Sequence, residues 1–196
     1  MTDSESSDLC NEALRKIGRN MVNLQTMERA LKILIAQSEW KGPDSDLRDI
    51  YEKKCEEIER RTMGQLSKQL VDLLYSAVDS NPADRNASDL PWTSFSYRLD
   101  GGDEQKFAEQ RAFKLVVEER NQLVHQMLGD FDSGSVESCR TLISALDRQA
   151  ERLHPQFERV TCWLTSLNDG RNAVIAVLRA ELMSDKGNES DGAALL

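Results

Sequence analysis

Apolar residues three and four positions apart recur through most of this chain, and that spacing restricts it to helices packed side by side. Leu9, Ala13, Ile17, Leu24, Met27, Leu31, Leu34 and Ile35 fall within an arc of about 100° when each residue turns by about 100°. The spacing predicts one amphipathic helix over 8–38. Gly42 and Pro43, then Asp44, Ser45 and Asp46, supply a stop, a turn and an N-cap. A second helix over 45–79 follows. Its apolar face drifts between Leu47, Ile50 and Ile58 and the later Leu66, Leu70, Leu73 and Ala77, which predicts a bend at Met63–Gly64 and an antiparallel hairpin over 8–79.

Residues 80–103 hold two prolines and two glycines and break the helical pattern. Within them Phe95, Tyr97 and Leu99 alternate with Ser94, Ser96 and Arg98, predicting a short extended cover at 92–99. A third helix over 104–128 carries Phe107, Phe113, Leu115, Val116, Val117, Leu123, Val124 and Met127. After the turn at 129–134, Ser133 or Ser135 can cap a fourth segment, 136–167. That segment keeps Cys139, Leu142, Leu146, Ala150, Leu153, Phe157, Val160, Leu164 and Leu167 in one phase across Pro155, so the proline marks a kink or an in-phase restart. Asp169 can cap a last helix, and 185–196 reads as a disordered tail. The expected fold is one all-α domain over 1–184, a bundle of about five helices with a small extended insert.

No window approaches the roughly 18 to 20 apolar residues that span a bilayer, and the start, MTDSESSDL, is acidic where a secretion signal would be basic. Cys10, Cys55, Cys139 and Cys162 form no Cys-x-x-Cys pair. A reduced, cytoplasmic protein without a membrane partner is the expectation. Of the net charge of −9, −6 lies in residues 1–12 and 185–191, leaving −3 for 13–184. The acidity argues against broad coating of nucleic acid and permits a compact phosphate-reading site.

Only two histidines occur, and one closes the run Glu118-Glu119-Arg120-Asn121-Gln122-Leu123-Val124-His125. Imidazole can move a ribose hydroxyl proton near neutral pH, while guanidinium binds a phosphate and steadies developing charge. That scheme calls for no metal and no cofactor. On a regular helix Glu118, Asn121, Gln122 and His125 share a polar stripe, whereas Arg120 lies about 140° from His125, inside the apolar arc. There it must find a partner or a wet cleft.

Arg120-Asn121-x-x-x-His125 resembles the Arg-x4-6-His motif of the HEPN superfamily, in which a polar residue, often Asn, commonly follows the Arg. The resemblance covers the motif and its helical context over 104–183. It implies an α-helical, frequently dimeric fold and a metal-independent endoribonuclease of the kind found in toxin–antitoxin and phage-defence systems. Carried to this chain, it implies Arg120 for phosphate binding, Asn121 for positioning and His125 for proton transfer, with RNA as substrate. A homodimer and an antitoxin or other defence partner protein are the implied partners. The alternative is a non-catalytic HEPN-like subunit that binds a partner protein through the 8–79 hairpin. Arg148-x5-His154 satisfies the bare spacing too, but lacks the Asn and precedes Pro155, so His154 reads as a helix-end residue.

Two further features bear on substrate. Arg148, Arg152 and Arg159 align within about 40° on the fourth segment; they can follow an RNA backbone or pair with acidic helices. Glu118 or Glu119 can tune His125 or stand as a solvated charge.

Overall fold

The computed structural model describes residues 3–77 and 92–191. Among these residues the protein is an all-α bundle of five helices with a two-stranded sheet at one end. Helix α1, Asp3–Ser38, buries Ala13, Leu24, Met27, Leu31, Leu34 and Ile35, the stripe that the spacing predicts. Helix α5, Val136–Asp191, lies beside it in the same direction. Their partners advance together along both helices: Glu5 with Arg140 at 3.2 Å, Lys16 with Asp147 at 2.5 Å, and Gln37 with Arg171 at 2.5 Å.

Pro155 sits inside α5, with Leu142, Leu146 and Leu153 buried before it and Val160 and Leu167 after it. The apolar phase is therefore kept, as expected, because core contacts on both sides hold the helix through the position of one missing amide. The separate last helix capped by Asp169 does not exist. Gly170 is the weakest helix former there, and a single helical glycine costs only about 1 kcal/mol. His154 is accordingly an exposed interior residue, 3.3 Å from Glu158, not a helix end. The helical backbone also runs on to Asp191, through part of the segment expected as an irregular tail, with no proline to stop it; residues 192–196 lie outside the described residues.

The expected single helix over 45–79 is two helices. Helix α2, Leu47–Glu59, ends at Arg60, and helix α3, Met63–Leu74, starts from an extended Thr62. Thr62 Oγ1 accepts from the Gln65 amide at 3.4 Å while Gln65 Oε1 accepts from the Thr62 amide at 2.9 Å, a capping box that satisfies two otherwise orphan donors. The break reverses the chain. Helix α2 descends along α1, with Lys54 donating to the Glu39 carbonyl and Glu59 meeting Lys32. Helix α3 climbs back, so that Leu74 and Ser38 accept from the amides of Leu99 and Tyr97. The drift of the apolar face thus marks a turn between two short helices, and 78–79 fall outside the described residues.

Strand β1, Glu39–Pro43, pairs antiparallel with β2, Trp92–Ser96, in the register Glu39 to Ser96 and Pro43 to Trp92. The extended cover is as expected; its partner strand occupies what the sequence marks as a stop and turn. Phe95 stacks on Trp40 with centroids 5.5 Å apart, and Phe95, Tyr97 and Leu99 pack against the core. Helix α4, Asp103–Gln122, runs antiparallel to α3, with Lys106 2.9 Å from Asp72. Phe113, Val116 and Leu123 are buried, whereas Phe107 is exposed. Ser135 Oγ accepts from the Ser138 amide at the start of α5. Among the described residues no helix is long and apolar enough to cross a membrane.

Candidate active site

The end of α4 is fixed by a buried polar network that reaches it from two other helices. Asn20 of α1 donates to the Leu146 carbonyl at 2.9 Å and to Gln149 Oε1 at 3.0 Å. Gln149, fully buried, donates to the main-chain and side-chain oxygens of Glu119. Arg152 closes the chain with two bonds to the same carboxylate, at 2.5 and 3.0 Å. A buried carboxylate held by a bidentate guanidinium and an amide is a rigid anchor. It lies next to Arg120 in sequence and sets the rotation of α4 at that point.

With Glu119 turned into the core, Arg120 is half-buried at the mouth of a cleft of about 380 Å³. Val124, just past the end of α4, and Met21, Leu24 and Lys32 of α1 line it, together with Glu28, Arg29 and Glu59. Of the two environments open to an Arg inside the apolar arc, a partner or a wet cleft, Arg120 borders a cleft. Its three cations differ. Lys32 is held by Glu59 at 3.0 Å and Glu28 at 3.5 Å. Arg29 and Arg120 have no carboxylate partner among the described residues; Arg120 Nη1 donates to Asn121 Oδ1 at 3.3 Å. With Glu28 and Glu59 both engaged by Lys32, two guanidinium groups without a bonded carboxylate in one cleft can take a phosphate. Arg29 was not legible as a site residue, since its only signal is the stripe of α1 that faces the end of α4.

Immediately after Gln122 the helix widens into a π turn, Leu123–Met127, with the Leu128 amide donating to the Leu123 carbonyl at 3.2 Å. Such turns are rare and are often found at functional sites. A π turn rotates less per residue than an α turn, so the angle between Arg120 and His125 is smaller than the regular-helix value of about 140°. His125 is exposed on this turn and does not line the Arg120 cleft. Its side chain has no hydrogen bond or ion pair among the described residues. Asn121 is exposed beside it.

The remaining candidates separate clearly. Glu118 is exposed and 3.7 Å from Lys114, while Glu119 belongs to the buried network, and neither is bonded to His125. Arg152 is committed to Glu119, and Arg159 makes two bonds, of 2.8 and 2.9 Å, to the largely buried Glu109. Of the three aligned arginines only Arg148 is exposed without a carboxylate partner among the described residues. No group of three or more His, Cys, Asp or Glu side chains is placed to hold a metal ion among the described residues. No family model matches the chain, and no curated protein and no solved structure matches it.

Proposed function

We propose that the protein is a metal-independent endoribonuclease of HEPN type, a homodimer working in a toxin–antitoxin or phage-defence setting. The observation that carries this reading is Arg120, half-buried at a cleft without a carboxylate partner among the described residues, one helical turn before a π turn that holds His125 at the surface. Arg120 binds the scissile phosphate and stabilises the charge that builds on it. His125 takes the proton of the ribose 2′-hydroxyl as that oxygen attacks phosphorus, and the 5′-oxygen leaves with a proton, giving a 2′,3′-cyclic phosphate and a 5′-hydroxyl. Because His125 lies outside the Arg120 cleft of its own chain, each site joins Arg120 of one protomer to His125 of the other across a two-fold axis.

The pure protein is expected to cleave RNA in EDTA and leave cyclic phosphate ends, and Arg120→Ala and His125→Ala each to abolish this with the fold intact. Mixing the two inactive variants gives the decisive readout. In a shared site one of the two centres of every mixed dimer is wild type, so exchange restores about a quarter of wild-type turnover. Full activity in His125→Ala alone would sink the reading.

One observation favours a non-catalytic binding subunit instead. Beyond the Gln37–Arg171 contact, α5 runs past the end of α1 with Val174, Ile175, Val177 and Leu178 exposed, an apolar segment suited to a partner protein. A stable complex with such a partner, combined with no RNA turnover under any condition, would select that alternative.

A further inference from the structure

The groove between α3 and α4 shares the α4 side of the bundle with the Arg120 cleft and has its own chemistry. It encloses about 380 Å³ and is lined by Gly64, Ser67 and Lys68 of α3 and by Gln110, Phe113 and Lys114 of α4, with Val117 at its end. In a chain of net charge −9 this lining carries two lysines and no carboxylate. Lys68 is exposed and has no carboxylate partner among the described residues. Among the described residues Lys114 meets only Glu118, at 3.7 Å, and both side chains are mostly in solvent, where such a pair is worth little and exchanges readily.

Groove and cleft lie along one stretch of α4. Gln110, Lys114 and Val117 recur at three- and four-residue spacing, and Val124, which lines the cleft, continues the same face. Lys114 and Arg120 are separated by about 9 Å along the helix axis. The turn between α2 and α3 lies between the two cavities, since Glu59 borders the cleft and Gly64 the groove. That turn carries Arg60 and Arg61, which have no carboxylate partner among the described residues. Lys68 and Lys114 thus line the groove, and Arg29, Lys32 and Arg120 outnumber Glu28 and Glu59 in the cleft, while the arginines of α5 that the sequence marks for this role are mostly held by Glu119 and Glu109.

We infer that the α3–α4 groove grips the phosphate backbone of the single RNA strand that enters the Arg120 cleft, an inference that rests on the ribonuclease reading above. Lysine ammonium groups are point charges that follow a backbone without requiring a planar two-point match. Gln110, both donor and acceptor, is suited to a ribose hydroxyl or a base edge. The groove then sets affinity for long strands, and the cleft performs the chemistry.

The test compares the full-length protein with its Lys68→Ala/Lys114→Ala variant, using a labelled single strand of about a dozen nucleotides and a dinucleotide that fills only the cleft. Binding is followed by fluorescence anisotropy and cleavage by product release, with thermal melts to confirm that both proteins fold alike. For the long strand, Kd and KM are expected to rise about tenfold in the variant with kcat unchanged, while dinucleotide cleavage stays at the wild-type rate. The slope of log Kd against log salt should fall by about 1.4, because each single-strand phosphate contact contributes about 0.7. Equal KM and equal salt slope in the two proteins would overturn the groove and leave the cleavage site standing. Lysine-dependent binding without any cleavage would support the groove and remove the ribonuclease reading. Displacement of the bound strand by polyglutamate at equal charge concentration would assign the groove to an acidic protein and overturn the inference.

Discussion

Arg152 of α5 and Arg120 of α4 both lie at the end of α4 and have opposite surroundings. Arg152 reaches from α5 to a buried carboxylate and is held by two bonds; Arg120, adjacent to that carboxylate's residue, opens into a cleft and meets only an exposed amide. The difference shows that the role of an arginine is set by what the neighbouring helix presents to it. A row of arginines on one face is equally compatible with a ligand track and with a set of cross-helix ties, and on α5 most of the row is ties.

The sharpest way to break this comparison is to remove each side and weigh the fold. Glu119→Ala leaves the fully buried Gln149 with the main-chain carbonyl as its one acceptor at 119 and Arg152 without its counter-charge. Arg152 is 42% exposed, so water recovers part of its hydration, and the expected loss is about 2 to 3 kcal/mol in urea unfolding, below the usual cost of breaking a fully buried pair. Arg120→Ala should cost about 0.5 kcal/mol or less, as for a surface change. Equal destabilisation by the two would mean that Arg120 is a structural tie and that its cleft is not a free anion site.

A second substitution tests whether the ties are alike. Glu109→Gln keeps the size of the side chain and one acceptor for Arg159, but removes the charge that makes both bonds strong. The expected loss is about 1 kcal/mol. A loss as large as that of Glu119→Ala would place the main anchor of α4 in its middle and weaken the case that the motif end is specially held.

Much of this was legible in the sequence, for identifiable reasons. The stripes of α1 and α5 follow from a period that local geometry imposes, so their buried residues could be named in advance. The alternation of Phe95, Tyr97 and Leu99 likewise gave the extended cover. The break at 60–62 was written in Thr62 and Gln65 but was masked by an apolar face that drifts and does not stop. The ties from Glu109 and Glu119 were not legible, because they depend on the register between α4 and α5, which no local pattern states. The π turn at His125 was equally hidden. Leu123 at its start is buried and Met127 at its end packs against the core, and the turn changes the regular-helix angle between Arg120 and His125.

The pair between α1 and α5 is an intermediate case and gives the smallest effect. Lys16 and Arg19 both donate to Asp147, which is 41% exposed. The hydrogen bond from Lys16 is the main reason that its carboxyl titrates below the ordinary aspartate range, with burial acting the other way and Arg19 adding to the lowering. A carboxyl whose folded pKa is depressed contributes stability above its unfolded value, about 4, and loses it as pH falls through the folded value. Asp147→Asn should therefore be less stable than the wild type by about 0.5 kcal/mol at pH 7 in low salt. That difference should shrink as pH drops below about 4 and should also shrink in high salt. Chemical unfolding of both proteins at pH 7 and in the acid range measures it. A gap that persists unchanged in acid would show that Asp147 acts through packing instead of charge, and would set it beside Glu119 as a fixed tie in place of the solvent-weakened pair that its exposure indicates.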